Sequence, residues 1–70
     1  MKYREVARKL KKLECRELPR RGKGSHRVWH NPRTDRIAPL PDWGGKDLKL
    51  GTVRAVIRQL GLDWEEFRKA

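Results

Sequence analysis

The sequence has few groups that could staple it or carry it across a membrane. It has one cysteine, Cys15, in 70 residues. An internal disulfide is impossible, which excludes a stapled secreted mini-protein. One Cys and two His, His26 and His30, cannot close a structural zinc site alone. No apolar run approaches the roughly 18 residues of a membrane-spanning helix. No apolar stretch follows Met1-Lys2-Tyr3-Arg4-Glu5, so no signal peptide is expected and the cytoplasm is the expected compartment. The length suits one small domain over residues 1–70 and excludes a large enzyme with an enclosed pocket. Such a fold must be held by its core or by a partner.

Acidic residues are also scarce, 9 against 19 Lys and Arg, for a formal charge of +10. The excess is uneven. Residues 1–15 carry a net +4, residues 16–36 a net +5, and residues 37–70 only +1. Clustered basic charge fits a polyanion: nucleic acid, an anionic membrane or an acidic protein. Nucleic acid is the expectation that charge favours, against a surface charged only for solubility.

Periodicity gives the elements. Tyr3, Val6, Ala7, Leu10 and Leu13 share one face of a helix. Lys2, Arg4, Arg8, Lys9, Lys11 and Lys12 fill much of the rest. The stripe reads as a core face rather than a membrane face. Cys15–Pro19 reads as a weak strand, with Pro19 at its edge or end. Arg21-Gly22-Lys23-Gly24 is a turn, and Ser25–His30 a strand. Asn31–Asp35 is a turn and Arg36–Leu40 a third short strand. Pro41–Lys46 is a loop. A second helix is expected from an N-cap at Thr52, with Val53, Val56, Ile57 and Leu60 inward and Gly61 at its end. Asp63 caps a last short helix, with Leu62 and Phe67 as its hydrophobic staple. The expected fold is α+β, ordered α-β-β-β-α. Two helices cover one face of a three-stranded antiparallel sheet, as in double-stranded-RNA-binding domains.

Gly24-Ser25-His26-Arg27 is the segment with the most chemistry. A histidine titrates near neutral pH and suits general acid–base work on RNA. A neighbouring Arg or Lys can neutralise charge that develops on phosphate. Gly24 permits close backbone approach, and Ser25 can donate to a phosphate oxygen. A turn followed by a surface histidine is the plain alternative. Alternation puts His26, Val28 and His30 on one face and Ser25, Arg27 and Trp29 on the other. Trp29 then belongs to the core. His30 is a second acid–base group or a strand-end residue, with the strand end favoured. Trp43 can stack on a base or plug the edge of the core. Trp64 can cover the core or meet a partner. Cys15 is expected to be buried. Asp63, Glu65 and Glu66 read as helix first-turn charges.

These pieces occur in a telling order: Gly24-Ser25-His26, Val28-Trp29-His30-Asn31-Pro32, Pro39-Leu40-Pro41, Lys46–Lys49, Gly51–Leu62 and Glu65-Glu66-Phe67. In that order the chain resembles the HicA/YcfA-like toxins of type II toxin–antitoxin systems, over nearly its whole length. The resemblance implies a double-stranded-RNA-binding-domain-like fold and an mRNA interferase, an endoribonuclease that cuts RNA and halts growth. It implies His26 as the catalytic residue, with Gly24 and Ser25 as parts of its motif. Arg27, Lys23 and Arg21 are the candidate phosphate holders. The implied partners are mRNA and a HicB-type antitoxin that covers the active site; no metal, cofactor or membrane is called for. Two stretches depart from the family. Leu13-Glu14-Cys15-Arg16 lacks the Gly and aromatic that many members carry there, and Pro41-Asp42-Trp43-Gly44 lacks a His. A non-catalytic RNA-binding module of the same fold is the alternative, and a module for an acidic protein partner the third.

Overall fold

The computed structural model describes residues 1–19 and 26–70. Its first element, α1, is Tyr3–Lys12. The apolar stripe explains it: Val6, Ala7 and Leu10 are buried, and Tyr3 and Leu13 pack at the margin. Glu5 reaches back to accept the Lys2 N–H at 3.3 Å, which satisfies one of the unbonded donors of the first turn. The helix stops at Leu13. Glu14 turns left-handed (φ 70°), so that Glu14 N–H bonds the Lys11 carbonyl and Cys15 N–H bonds the Leu10 carbonyl. The chain thereby reverses into the sheet.

The strands are β1 (Arg16–Glu17), β2 (His26–Asn31) and β3 (Arg36–Pro41), in spatial order β1-β2-β3 and antiparallel throughout. β1 is shorter than the Cys15–Pro19 expectation. β2 and β3 each run one residue further than expected, to Asn31 and Pro41. The expected Arg21–Gly24 turn lies outside the described residues. Both prolines of β3 are tolerated because β3 is an edge. Leu18 N–H bonds the Val28 carbonyl at 2.8 Å, so Val28 directs its backbone groups to the β1 side. Its partner Pro39 therefore turns its missing N–H to the outer edge, and Pro41 does likewise.

Helix α2 is Leu50–Gln59, and α3 is Trp64–Lys69. The α2 N-cap is Lys49 rather than Thr52. The first helical bond, Val53 N–H to the Lys49 carbonyl at 3.1 Å, passes over Gly51 and Thr52. A glycine in the first turn breaks no ladder bond, because those N–H groups have no partner within the helix anyway. Gly61 (φ 71°) ends α2 with the same pair of bonds that Glu14 makes for α1. Asp63 caps α3 by accepting Glu66 N–H at 3.1 Å, as expected.

The core lies between the helices and one face of the sheet. Trp29, Ala38 and Leu40 face inward against Val6, Leu10, Val53, Val56, Ile57, Leu60 and Phe67. Each large aliphatic or aromatic side chain buried there is worth roughly 1.5–3 kcal/mol. The β2–β3 turn is fastened to the end of α2. Buried Asn31 donates to the Leu60 carbonyl at 2.8 Å and accepts Arg33 N–H at 3.0 Å; Thr34 Oγ1 donates to the same carbonyl. The layout is therefore α-β-β-β-α with a short third helix, and among the described residues no helix lies on the other sheet face. Among the described residues no helix is long and apolar enough to cross a membrane.

Candidate active site on the open sheet face

His26 is the first residue of β2 and is exposed. It lies opposite Pro41, on the face that no helix covers. Val28 and His30 follow on that face, as alternation requires, with Arg16 across from His30 on β1. Ile37, 58% exposed, and Pro39 extend the same surface on β3. This face thus holds an exposed imidazole beside an apolar strip.

The two histidines do not form a pair. Their backbone positions are about 13 Å apart, at roughly 3.3 Å per residue. His30 Nε2 is engaged at the other end of the strand, 2.9 Å from Asp35 Oδ1. Asp35 holds a left-handed turn position (φ 57°), and its N–H bonds the Asn31 carbonyl at 2.7 Å. His30 therefore behaves as a strand-end residue fixed by the turn.

Arg27 is adjacent to His26 in sequence but faces the other way. Its Nε donates to Asp42 Oδ2 at 3.0 Å and its Nη1 to Glu17 Oε2 at 3.1 Å. Its guanidinium also lies 5.5 Å from the centre of the Tyr3 ring. The Glu17 hydrogen bond is the chief reason its pKa is raised. The structure brings this expected phosphate holder to two carboxylates rather than to His26. Arg21, Lys23, Gly24 and Ser25 lie outside the described residues.

Around Arg27 lies a cleft of about 650 Å³ between α1 and the sheet. Trp29 and Tyr3 line it, with Arg4, Arg8, Lys11 and Lys12 along its α1 side. Burial is the main force that pushes the Tyr3 hydroxyl up to about 12. The Trp29 indole N–H favours the ionised form, yet it is buried without a hydrogen bond of good geometry. The basic row on α1 was visible in the sequence as a spacing of four, three and one; its place beside a cleft was not. A second cleft, of about 840 Å³, lies at the β1 edge, where Cys15, Arg16 and His30 meet. Burial pushes the Cys15 thiol up, so it is held as a thiol and is a poor nucleophile.

The tryptophans separate as well. Trp43 leaves 41% of its surface exposed and does not plug the core. Trp64 stacks on Phe67 at 5.5 Å, with Arg54 4.9 Å above its ring, and so covers the core. Among the described residues no three His, Cys, Asp or Glu side chains converge.

The architecture is that of a small basic α+β domain with an exposed histidine on the sheet face that the described helices leave uncovered. A family model described as the HicA toxin of bacterial toxin–antitoxin matches residues 3–62. The chain belongs to the HicA toxin family. No curated protein and no solved structure matches it.

Proposed function

We propose that residues 1–70 form one toxin domain that acts as an endoribonuclease, an mRNA interferase, with His26 as the acid–base residue. The reading is carried by one observation: His26 stands exposed at the start of β2, on the sheet face left bare by the helices. Family membership supports the toxin role. The chemistry needs no metal. One group takes the proton of the 2′-OH, the 2′ oxygen bonds to the adjacent phosphorus, and the bond from phosphorus to the 5′ oxygen breaks. The leaving oxygen then gains a proton, giving a 2′,3′-cyclic phosphate and a 5′-hydroxyl. A single exposed imidazole can serve either proton transfer. Lys23, Gly24, Ser25 and Arg21, just before His26 in the sequence, hold the phosphate. Arg27, on the opposite face and held by Glu17 and Asp42, keeps donors for a phosphate that reaches the cleft beside α1. The partner is a HicB-type antitoxin that covers His26.

The alternative, a non-catalytic RNA-binding module, is favoured by a single point: among the described residues no carboxylate forms an ion pair with His26. An RNA cleavage assay with EDTA present, comparing the wild type with His26→Ala, separates the two. The proposal expects cleavage by the wild type and a loss of at least about 10²-fold in the variant, the scale of one acid–base group. Equal RNA binding by both proteins with no cutting by either would select the module. Cutting that EDTA abolishes would refute the metal-independent chemistry.

A further inference from the structure

Helix α1 carries more cations than its fold uses. Lys9 is accounted for: its Nζ donates to the Arg68 and Ala70 carbonyls at 2.9 and 3.1 Å and lies 5.7 Å from the centre of the Phe67 ring. Arg4, Arg8, Lys11 and Lys12 are different. They fall at i, i+4, i+7 and i+8, on one exposed face. The row is about 12 Å long at 1.5 Å per residue. Among the described residues none of the four pairs with a carboxylate. Like charges at this spacing repel and weaken a helix. The one carboxylate in the adjacent cleft, Glu17, is already taken by Arg27 and by the Tyr3 hydroxyl at 3.0 Å.

We infer that this face of α1, with the cleft beside it, is a second RNA-binding surface that holds the phosphate backbone on the side of the sheet opposite His26. The inference rests on the RNA-cleaving reading and deepens it. A line of flexible cations matches a line of phosphates and reads no sequence. A membrane does not fit, because the apolar stripe of α1 is already buried in the core and nothing is left to insert. A protein partner would be anchored on exposed apolar side chains, and none of the exposed large hydrophobic residues lies on α1, whose one aromatic, Tyr3, is already engaged by Glu17 and the Arg27 guanidinium. The surface therefore adds affinity that is uniform across sequences, while the His26 face does the cutting.

The test is the salt dependence of binding to a single-stranded 2′-O-methyl RNA oligomer, which has no 2′-OH to attack. Wild-type protein is compared with R4Q/R8Q/K11Q/K12Q, and with R36Q/K46Q/K49Q/R58Q as an equal loss of exposed charge elsewhere. Gln keeps helix propensity close to that of Lys and Arg. On a single strand, each phosphate that the protein no longer neutralises lowers the slope of log K against log salt by about 0.7. The α1 variant is expected to lower it by about 2–3 and to weaken binding about tenfold or more, with a smaller change in the control. Should the fourfold variant fold poorly, R8Q/K12Q alone is expected to lower the slope by about 1. Equal changes in the α1 and control variants would overturn the inference and leave only net charge. An unchanged slope in the α1 variant would overturn it too. Neither result touches the His26 reading, which the cleavage assay decides separately. Absence of RNA binding by the wild type would sink both.

Discussion

Tyr3 shows how much one side chain can join. It donates to Glu17, lies under the Arg27 guanidinium and closes the cleft between α1 and the sheet. Burial raises its pKa from 10.0 to about 12. A raised folded pKa means that the protonated hydroxyl stabilises the fold. That contribution is whole below pH 10 and is lost as pH rises towards 12. Tyr3 is the only tyrosine, so tyrosinate absorbance in an alkaline titration reports this group alone. The expected midpoint lies near 12 and falls to near 10 in denaturant. A native midpoint near 10 would show that the hydroxyl is not held this way. Sequence periodicity placed Tyr3 on the inner stripe, and it is there. The ionic cluster it serves was hidden, because Glu17, Arg27 and Asp42 meet only through strand pairing.

At the scale of elements, the two helix ends make a natural comparison. α1 and α2 finish with the same left-handed residue and the same two bonds, but one uses Glu14 and the other Gly61. A side chain in the left-handed region costs about 1–2 kcal/mol. Glu14→Gly is therefore expected to stabilise the protein by about 0.5–1 kcal/mol in denaturant melts, once the added freedom of the unfolded chain is subtracted. Gly61→Ala should go the other way, by about 1–2 kcal/mol or more. Its new Cβ would lie 2.9 Å from Thr34 Cγ2, beside the bonds that fasten the β2–β3 turn. If Glu14→Gly destabilised the fold, the left-handed cap would not be a source of strain. Gly61 was legible as a stop because glycine announces the conformation. Glu14 was not, because nothing in its chemistry asks for it. The α2 start was misplaced because Thr52 is a good cap by type, yet the helix begins at Leu50 without a side-chain cap. The faces of β2 were legible, since a period of two needs only the strand itself. That put His26 and Arg27 on opposite sides before their surroundings were known.

For the whole molecule, the single cysteine is a built-in reporter. Cys15 is 2% exposed, and its thiol is pushed up by burial. Its alkylation should follow global unfolding rather than local fraying, with native protein reacting at least about 10³-fold slower than denatured protein. Fast native alkylation would show that the α1–β1 corner opens on its own. The same view explains what the sheet refuses. Its two borders are both disabled: β1 is two residues long, and β3 turns two prolines outward. Among the described residues a neighbouring extended chain finds no continuous row of donors on either side. Growth into fibrils by strand addition is blocked, even though the bare face is partly apolar. A highly expressed or concentrated preparation should fail first by face-to-face clumping, which salt and added charge control, and not by amyloid.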